Sequence, residues 1–165
     1  MESESMCERA ADLVMRLKLL PHPEGGFYRE VFRSSDTVMT SDARGTRSAL
    51  TTIDFLLPRG QFSAWHRVAS DEVWHFLDGG PLRLWLVPPS LDRIGLVDLG
   101  AVGVDMEPRH VVPAGWGQAA QPLGEYAYVG ATVGPGFDFA DFSFARGGDV
   151  ADRIARLRPG AAELL

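Results

Sequence analysis

The sequence predicts an all-β domain, either a barrel or a double-sheet jelly roll, with a short helix near each end of the chain. Many short β-rich runs follow one another with Gly, Pro, Asp and Ser between them, which is typical of these folds. Several runs alternate apolar and polar residues, as in residues 48–57 and 82–87. Helical periodicity occurs only near the two ends of the chain, outside the β-rich runs, so a mainly helical fold is excluded.

The helices are predicted over residues 5–19 and 149–157. In the first, Ser5 is placed to cap the N-terminus, and Pro21 and Pro23 end the helix. Apolar residues recur at helical spacing in both segments: Leu13, Val14 and Leu17 in the first, and Val150, Ile154 and Leu157 in the second.

The strands are predicted between the two helices, in a barrel that spans about residues 26–145. Their predicted ranges are 26–33, 48–57, 61–68, 72–78, 82–87, 94–99, 109–112, 116–121, 126–133 and 139–145. No linker, repeat or low-complexity segment interrupts the sequence, so residues 1–165 are expected to form a single domain.

Composition excludes several classes of protein. The chain has 165 residues and a net charge of −6 without a Lys/Arg block, so no nucleic-acid partner is expected. Cys7 is the only cysteine, which excludes an intrachain disulfide, a cysteine-rich zinc site and an iron–sulfur cluster. The N-terminal segment is unlike a signal peptide, and no apolar run approaches the roughly 20 residues that span a bilayer. We therefore expect a cytoplasmic protein without a membrane partner.

The segment over residues 60–80 carries the candidate site. Gly60, His66, Glu72 and Gly79 follow at a spacing that suits a β-hairpin. If its turn has an odd number of residues, His66 stands opposite Glu72; an even number separates the two. In the odd case one face carries Phe62, Ala64, His66, Glu72, Trp74 and Phe76, and the other carries Trp65, Arg67, Val73 and His75.

A histidine and a carboxylate on an otherwise apolar interior face are costly to bury, which favours a pocket that binds a ligand. A hydrogen-bonded pair with a purely structural role is the alternative.

The same residues resemble the first conserved motif of the cupin superfamily, and Pro113, Gly115 and Gln118 resemble the second. The chain also resembles a small cupin family of unknown function. Three segments of this chain carry that resemblance. They are Leu20 to Glu30, which contains His-Pro-Glu-Gly-Gly, Ser63 to His75, which contains Asp-Glu-Val-Trp-His, and Val133 to Phe139. The resemblance implies a cupin jelly roll, a homodimer, and a fold similar to that of sugar-nucleotide epimerases.

Metal-binding cupins use three histidines and one glutamate, and this chain departs from that set. Val68 and Gln118 stand where the second and third histidines belong, so His66 and Glu72 are the remaining good ligands. If a divalent metal binds, its ligands are His66, Glu72 and Gln118, with His75 added only if a bulge turns it inward. We favour a pocket without a metal or another cofactor.

The expected ligand is a small polar metabolite. In the catalytic version of this hypothesis, His66 is the general base or acid, Glu72 orients it, and Gln118, Tyr28 and Trp74 position the substrate. The implied reaction is isomerisation or epimerisation of a sugar-like or carbonyl compound.

Further ligand contacts are expected from His75, Trp116 and Arg29, whose guanidinium suits a carboxylate or phosphate. His22 and Glu24 are expected to be solvated in a turn. A non-catalytic binding or sensing module and a metal-dependent cupin enzyme are the alternatives. The homodimer is further expected because outward aromatic residues such as Trp65 need cover.

Overall fold

Two β-sheets pack face to face in the computed structural model, which describes residues 6–165. The strands are β1 (Leu20–Pro21), β2 (Phe27–Arg33), β3 (Thr37–Met39), β4 (Thr46–Ser48), β5 (Thr51–Pro58), β6 (Ser63–Val68), β7 (Asp71–Gly79), β8 (Leu82–Val87), β9 (Gly95–Leu99), β10 (Arg109–Val112), β11 (Gly117–Pro122), β12 (Tyr126–Gly134) and β13 (Phe142–Phe144). One sheet has the order β1-β2-β5-β12-β7-β10, and the other has the order β13-β6-β11-β8-β9. Strands β3 and β4 form a separate hairpin. The jelly-roll prediction is confirmed.

The main core lies between the two sheets. Alternate residues of the six-stranded sheet, such as Phe55, Trp74 and Val129, meet Leu84 and Leu86 of the five-stranded sheet. Each of these side chains is nearly or fully buried. The period-2 pattern of the sequence therefore places one face of each strand in this core.

The predicted hairpin of β6 with β7 is wrong. Strand β6 pairs with β11 and β13, whereas β7 pairs with β12 and β10, so the two strands lie in opposite sheets. The short connection at residues 69–70 has no glycine and turns a corner from one sheet to the other. His66 and Glu72 nevertheless line the same interior, from its two opposite walls.

The N-terminal helix α1 (Glu8–Leu17) packs on the outer face of the six-stranded sheet. Ala10 and Leu13 are buried there against Leu56 and Tyr126. The helix is shorter than the predicted range 5–19, and the predicted Ser5 cap lies outside the described residues.

The C-terminal helix α2 (Gly148–Leu157) and a 3-10 helix (Pro159–Leu164) cover the outer face of the five-stranded sheet. Trp65 is fully buried beneath them, and its Nε1–H donates to the carbonyl oxygen of Ala161 at 2.8 Å. The expectation that Trp65 needs cover from a second subunit is therefore wrong, because the chain covers it. The homodimer itself stays a prediction.

Three short strands, β1, β3 and β4, were not predicted, because segments of two or three residues show no periodicity. The predicted strand 139–145 is divided into a 3-10 turn (Phe139–Asp141) and β13. Across residues 6–165, no helix combines the length and apolar character needed to cross a bilayer.

Candidate functional site

A cavity of about 520 Å³ opens between the two sheets. Four buried titratable side chains line its interior, His22, Glu24, His66 and Glu72, and the exposed Arg29, Glu30, Arg33 and Asp138 border it. The remaining wall is mainly aromatic and aliphatic, with Tyr28, Phe137, Phe139, Phe142, Ile53, Val68, Ala131 and Val133. A mostly apolar pocket with a few convergent polar groups is the usual form of a small-molecule site.

His66 is held on strand β6 by two acceptors. Its Nδ1 lies 2.7 Å from the carbonyl oxygen of Ala64 and 2.9 Å from Oε2 of Glu24. Because both groups only accept hydrogen bonds, Nδ1 carries a proton. The imidazole also stacks on Phe142, with ring centroids 5.1 Å apart, so its plane is fixed from one side.

Glu24 reaches this interior from a tight turn between β1 and β2. The turn closes through Gly25 N–H to the carbonyl of His22 at 3.0 Å, and the Glu24 carbonyl accepts from the N–H of Ala64 at 2.8 Å. Gly25 has a φ of 107°, and a Cβ there would collide with the carbonyl oxygen of Phe62. Only glycine therefore allows the turn to approach β6 so closely that the Glu24 side chain enters the barrel.

Glu72 has a different partner. Its Oε2 accepts a hydrogen bond from Nε2 of Gln118, whose Oε1 accepts from the indole N–H of Trp74 at 2.9 Å. Since an indole only donates, Trp74 fixes which end of the amide faces Glu72. Glu24, rather than Glu72, therefore holds His66 by a hydrogen bond.

The buried charges are strongly coupled. Burial disfavours the imidazolium of His66, but the charge and hydrogen bond of Glu24 and the charge of Glu72 raise its pKa to about 9. Burial and the nearby charge of Glu24 raise the pKa of Glu72 to about 7, against the opposing effects of His66 and Gln118. Burial also opposes ionisation of Glu24, yet the charge of His66 and its hydrogen bond hold the Glu24 pKa below its usual value. At neutral pH the site thus holds one carboxylate, one imidazolium and one carboxyl near its midpoint.

His22 completes this group as a neutral imidazole. Its Nδ1 accepts the backbone N–H of Glu24 at 3.1 Å, and burial lowers its pKa. The ring packs edge-on against Tyr28, with centroids 4.5 Å apart. The side chains of His22 and Glu24 are only 6% and 7% exposed, so the expectation that they are solvated is wrong.

The other predicted ligand residues divide into two groups. Tyr28 lines the cavity, and Trp74 and Gln118 lie behind Glu72 as its support. His75 and Trp116 are absent from the described cavity wall. His75 points away from the core, between Arg109 at 3.2 Å and Thr132 at 3.3 Å, and Trp116 lies under Arg93.

Arg29 borders the cavity, but it follows the inward-facing Tyr28 on the same strand. Strand alternation directs its guanidinium to the outer face, beside its cross-strand neighbour Asp54. There its charge opposes the rise of the Tyr128 pKa, which burial and Asp54 bring to about 12.

The donor set does not fit a divalent metal. Val68 has no ligand atom, and Gln118 turns its NH₂ group, which cannot coordinate a cation, toward Glu72. Within residues 6–165, His, Cys, Asp and Glu side chains form no group of three or more that is arranged to hold a metal ion. Because Nδ1 of His66 carries a proton, Nε2 is the one nitrogen of that ring that could bind a metal, and only after losing its own proton.

Sequence reasoning found His66, Glu72 and Gln118 but missed Glu24, His22 and the aromatic wall of Phe137, Phe139 and Phe142. The available signal for Glu24 was the Gly25-Gly26 pair directly after it. Two glycines with positive φ allow a turn to pack closely against a neighbouring strand.

Comparisons with known proteins agree with this geometry. A family model described as "Cupin superfamily (DUF985)" matches residues 11–145. A hypothetical protein from Leishmania major superposes with a TM-score of 0.80 at 31% identity, over 94% of this chain and 95% of that one. A protein from Shewanella oneidensis gives a TM-score of 0.78 at 29% identity, over 94% and 93%.

Oxalate decarboxylase from Bacillus subtilis is similar in fold, with a TM-score of 0.56 at 17% identity, over 82% of this chain and 33% of that chain. No curated protein matches the sequence. Since the family model covers most of the chain, this protein belongs to the DUF985 family of the cupin superfamily.

Proposed function

We propose that this protein binds a small polar carbonyl metabolite in its cavity and catalyses a metal-independent isomerisation or epimerisation by proton transfer. One observation carries the proposal: a buried carboxyl, Glu72, with a pKa of about 7 lies in the same cavity as a protonated, rigidly held imidazole, His66. A carboxyl that titrates near neutral pH is suited to both removing and returning a proton.

Glu72 is the general base in this scheme. One of its oxygens is bonded to Gln118, and the second, Oε1, accepts no hydrogen bond from residues 6–165. That oxygen removes the proton from the carbon next to the substrate carbonyl. The electron pair of the broken C–H bond forms an enolate, and the protonated Glu72 then returns the proton to the adjacent carbon, which completes an isomerisation. In a hydroxycarbonyl substrate, the hydroxyl proton passes to the former carbonyl oxygen.

His66 stabilises the developing oxyanion. With Nδ1 committed to Glu24 and Ala64, its Nε2–H is left to donate a hydrogen bond to the substrate oxygen. Charge that develops on that oxygen is stabilised by a fixed imidazolium in a cavity with a mostly apolar wall. Glu24 is a positioning residue, because it holds the ring and its charge without a role in the proton transfer.

The donor chemistry of the cavity supports a metal-independent reaction. The two positions that would complete a cupin metal site carry Val68 and an amide turned by Trp74. Every step above therefore uses side chains of this chain alone.

Proton exchange in D₂O tests the proposal. The wild type is incubated with dihydroxyacetone, glyceraldehyde and neutral aldoses, and deuterium incorporation beside the carbonyl is followed by NMR. Glu72→Gln is expected to reduce the exchange rate by about 100-fold or more, because the amide cannot accept the proton.

Glu125→Gln is the matched control, since Glu125 is an exposed residue paired with Arg59, and it should exchange at the wild-type rate. Equal exchange by Glu72→Gln and the wild type would contradict the proposed role. Saturable binding without any exchange would instead support the non-catalytic binding module.

A further inference from the structure

We propose that the cavity selects an uncharged substrate, a neutral hydroxycarbonyl compound, over its phosphate ester or carboxylate analogue. This inference deepens the proposed function and relies on it for the reaction. Selection by charge follows from the way in which the charged groups around the cavity are paired.

Residues 6–165 place no uncompensated cation in the interior. His66 is the cationic group among the four buried titratable residues of the cavity, and Glu24 lies 2.9 Å from its Nδ1. Glu72 adds a second acidic group to the same interior. An anion placed next to Nε2 of His66 would therefore meet two carboxyl groups as well as the imidazolium.

The rim is neutralised in the same way. Arg33 donates two hydrogen bonds to Glu30, at 2.9 and 2.8 Å, and a third to the carbonyl of Phe137 at 3.0 Å. Arg29, the other arginine that borders the cavity, lies on the outward side of its strand beside Asp54. Neither guanidinium is placed to bind a phosphate or carboxylate inside the cavity.

A charged group loses its hydration when it enters such a cavity, and this loss is recovered only if a new partner compensates the charge. Hydroxyl and carbonyl groups need only hydrogen bonds. Nε2 of His66 can donate one and Oε1 of Glu72 can accept one, while the aromatic wall of Phe137, Phe139 and Phe142 contacts the C–H faces.

Sulfate binding tests the charge argument without any substrate. The ring proton signals of His66 are titrated with sodium sulfate at pH 8 in the wild type, Glu72→Gln and the control Glu125→Gln. Glu72→Gln removes one acidic charge from the interior, while Glu24 stays paired with His66 and keeps the imidazole protonated. We expect sulfate to bind Glu72→Gln at least about tenfold more tightly than the wild type or the control.

Equal sulfate affinity in all three proteins, or no sulfate binding by Glu72→Gln, would overturn the inference. The same ring signals, followed from pH 6 to 9 without sulfate, show that His66 is still protonated in the variant at pH 8.

A second titration addresses the substrate class directly. The wild type is titrated with neutral three- to six-carbon sugars and with their phosphate esters. The neutral member of each pair should bind more tightly, and tighter binding of the phosphates, or binding of neither, would count against the inference. Failure of the proposed function is distinguishable, because it would remove deuterium exchange and leave the sulfate pattern intact.

Discussion

Glu24 and Glu72 are buried carboxyl groups of one cavity, yet their neighbours shift their pKa values in opposite directions. Glu24 is in direct contact with the His66 imidazolium, which keeps it ionised. Glu72 contacts a neutral amide and feels the negative charge of Glu24, which keeps its proton available near pH 7. Two neighbouring acids with different pKa values can take different roles. In the proposed reaction the ionised Glu24 positions His66, and Glu72 transfers the proton.

The identity of two residues is expected to decide whether the cavity binds a metal. Val68→His together with Gln118→His supplies two further imidazoles beside His66 and Glu72, which completes the three-histidine, one-glutamate set. The double variant should retain about one equivalent of a divalent metal after gel filtration, by elemental analysis, while the wild type retains little.

The double variant carrying an additional His66→Ala substitution is the control for that experiment, and it should lose most of the metal. Stoichiometric metal in the wild type would contradict our assessment of its donor set.

Residue spacing was sufficient to single out His66 and Glu72, and the resemblance to the second cupin motif singled out Gln118. It was insufficient for Glu24, since no periodicity connects a turn residue with a strand about 40 positions later. The backbone hydrogen bond from Ala64 to Glu24 aligns the turn with β6, and side-chain patterns do not encode such a bond.

Among the elements, the segment Val133 to Phe144 has the clearest structural role beside the site. It supplies Phe137, Phe139 and Phe142 to the cavity wall. Asp141 fixes it in place: this side chain is 2% exposed and pairs with Arg44 at 3.0 Å and Arg47 at 2.8 Å. The β3–β4 hairpin, which has little core of its own, thereby holds the aromatic wall against His66.

Asp141→Asn is expected to lower the free energy of unfolding by about 2 kcal/mol, because the buried Asp141 carboxylate loses its charge beside two partly buried guanidinium groups, of which Arg44 keeps Asp42 as a partner. Ligand affinity should fall as well, since Phe142 is released from its contact with the His66 ring. Urea denaturation and ligand titration measure the two effects.

Asp138→Asn is the matched control for this change. Asp138 accepts the N–H of Ala140 at 2.8 Å, and an asparagine oxygen can accept the same bond, so little loss of stability is expected. A similar loss in both variants would show that the ion pairs with Arg44 and Arg47 are not the cause.

The predicted hairpin of β6 with β7 was wrong because the pattern of each strand fits two different arrangements. Their alternating patterns predict two strands with one buried face each, and both a hairpin and a pair on opposite walls satisfy that requirement. The two-residue connection without glycine distinguished them, because tight hairpin turns of two residues usually need glycine or asparagine at positive φ.

For the whole molecule, the site residues make stability depend on pH. The pKa of His66 is raised from 6.5 to about 9, and that of Glu72 from 4.5 to about 7. Between pH 6 and 9 the native state therefore binds more protons than the unfolded state, and the free energy of unfolding must fall as pH rises. These two shifts correspond to a loss on the order of 4 kcal/mol across this range, and the lowered pKa of His22 offsets part of it.

Urea denaturation at pH 6, 7.5 and 9 measures this dependence. Glu72→Gln should show a shallower decline up to pH 7.5, because its native state no longer takes up that proton, whereas Glu125→Gln should follow the wild type. A free energy of unfolding that is constant or rises over this range would contradict the assignment of a protonated His66.

The two sheets contribute different members of the site. Glu72 and Trp74 belong to the six-stranded sheet, whereas His66 and Gln118 belong to the five-stranded sheet. Their hydrogen bonds thus cross the core, while the hydrogen bonds of each ladder stay within one sheet. Any loosening that lets one sheet slide over the other would inactivate the cavity before backbone structure is lost. Mild denaturant should therefore abolish ligand binding while the circular dichroism of the strands is still native.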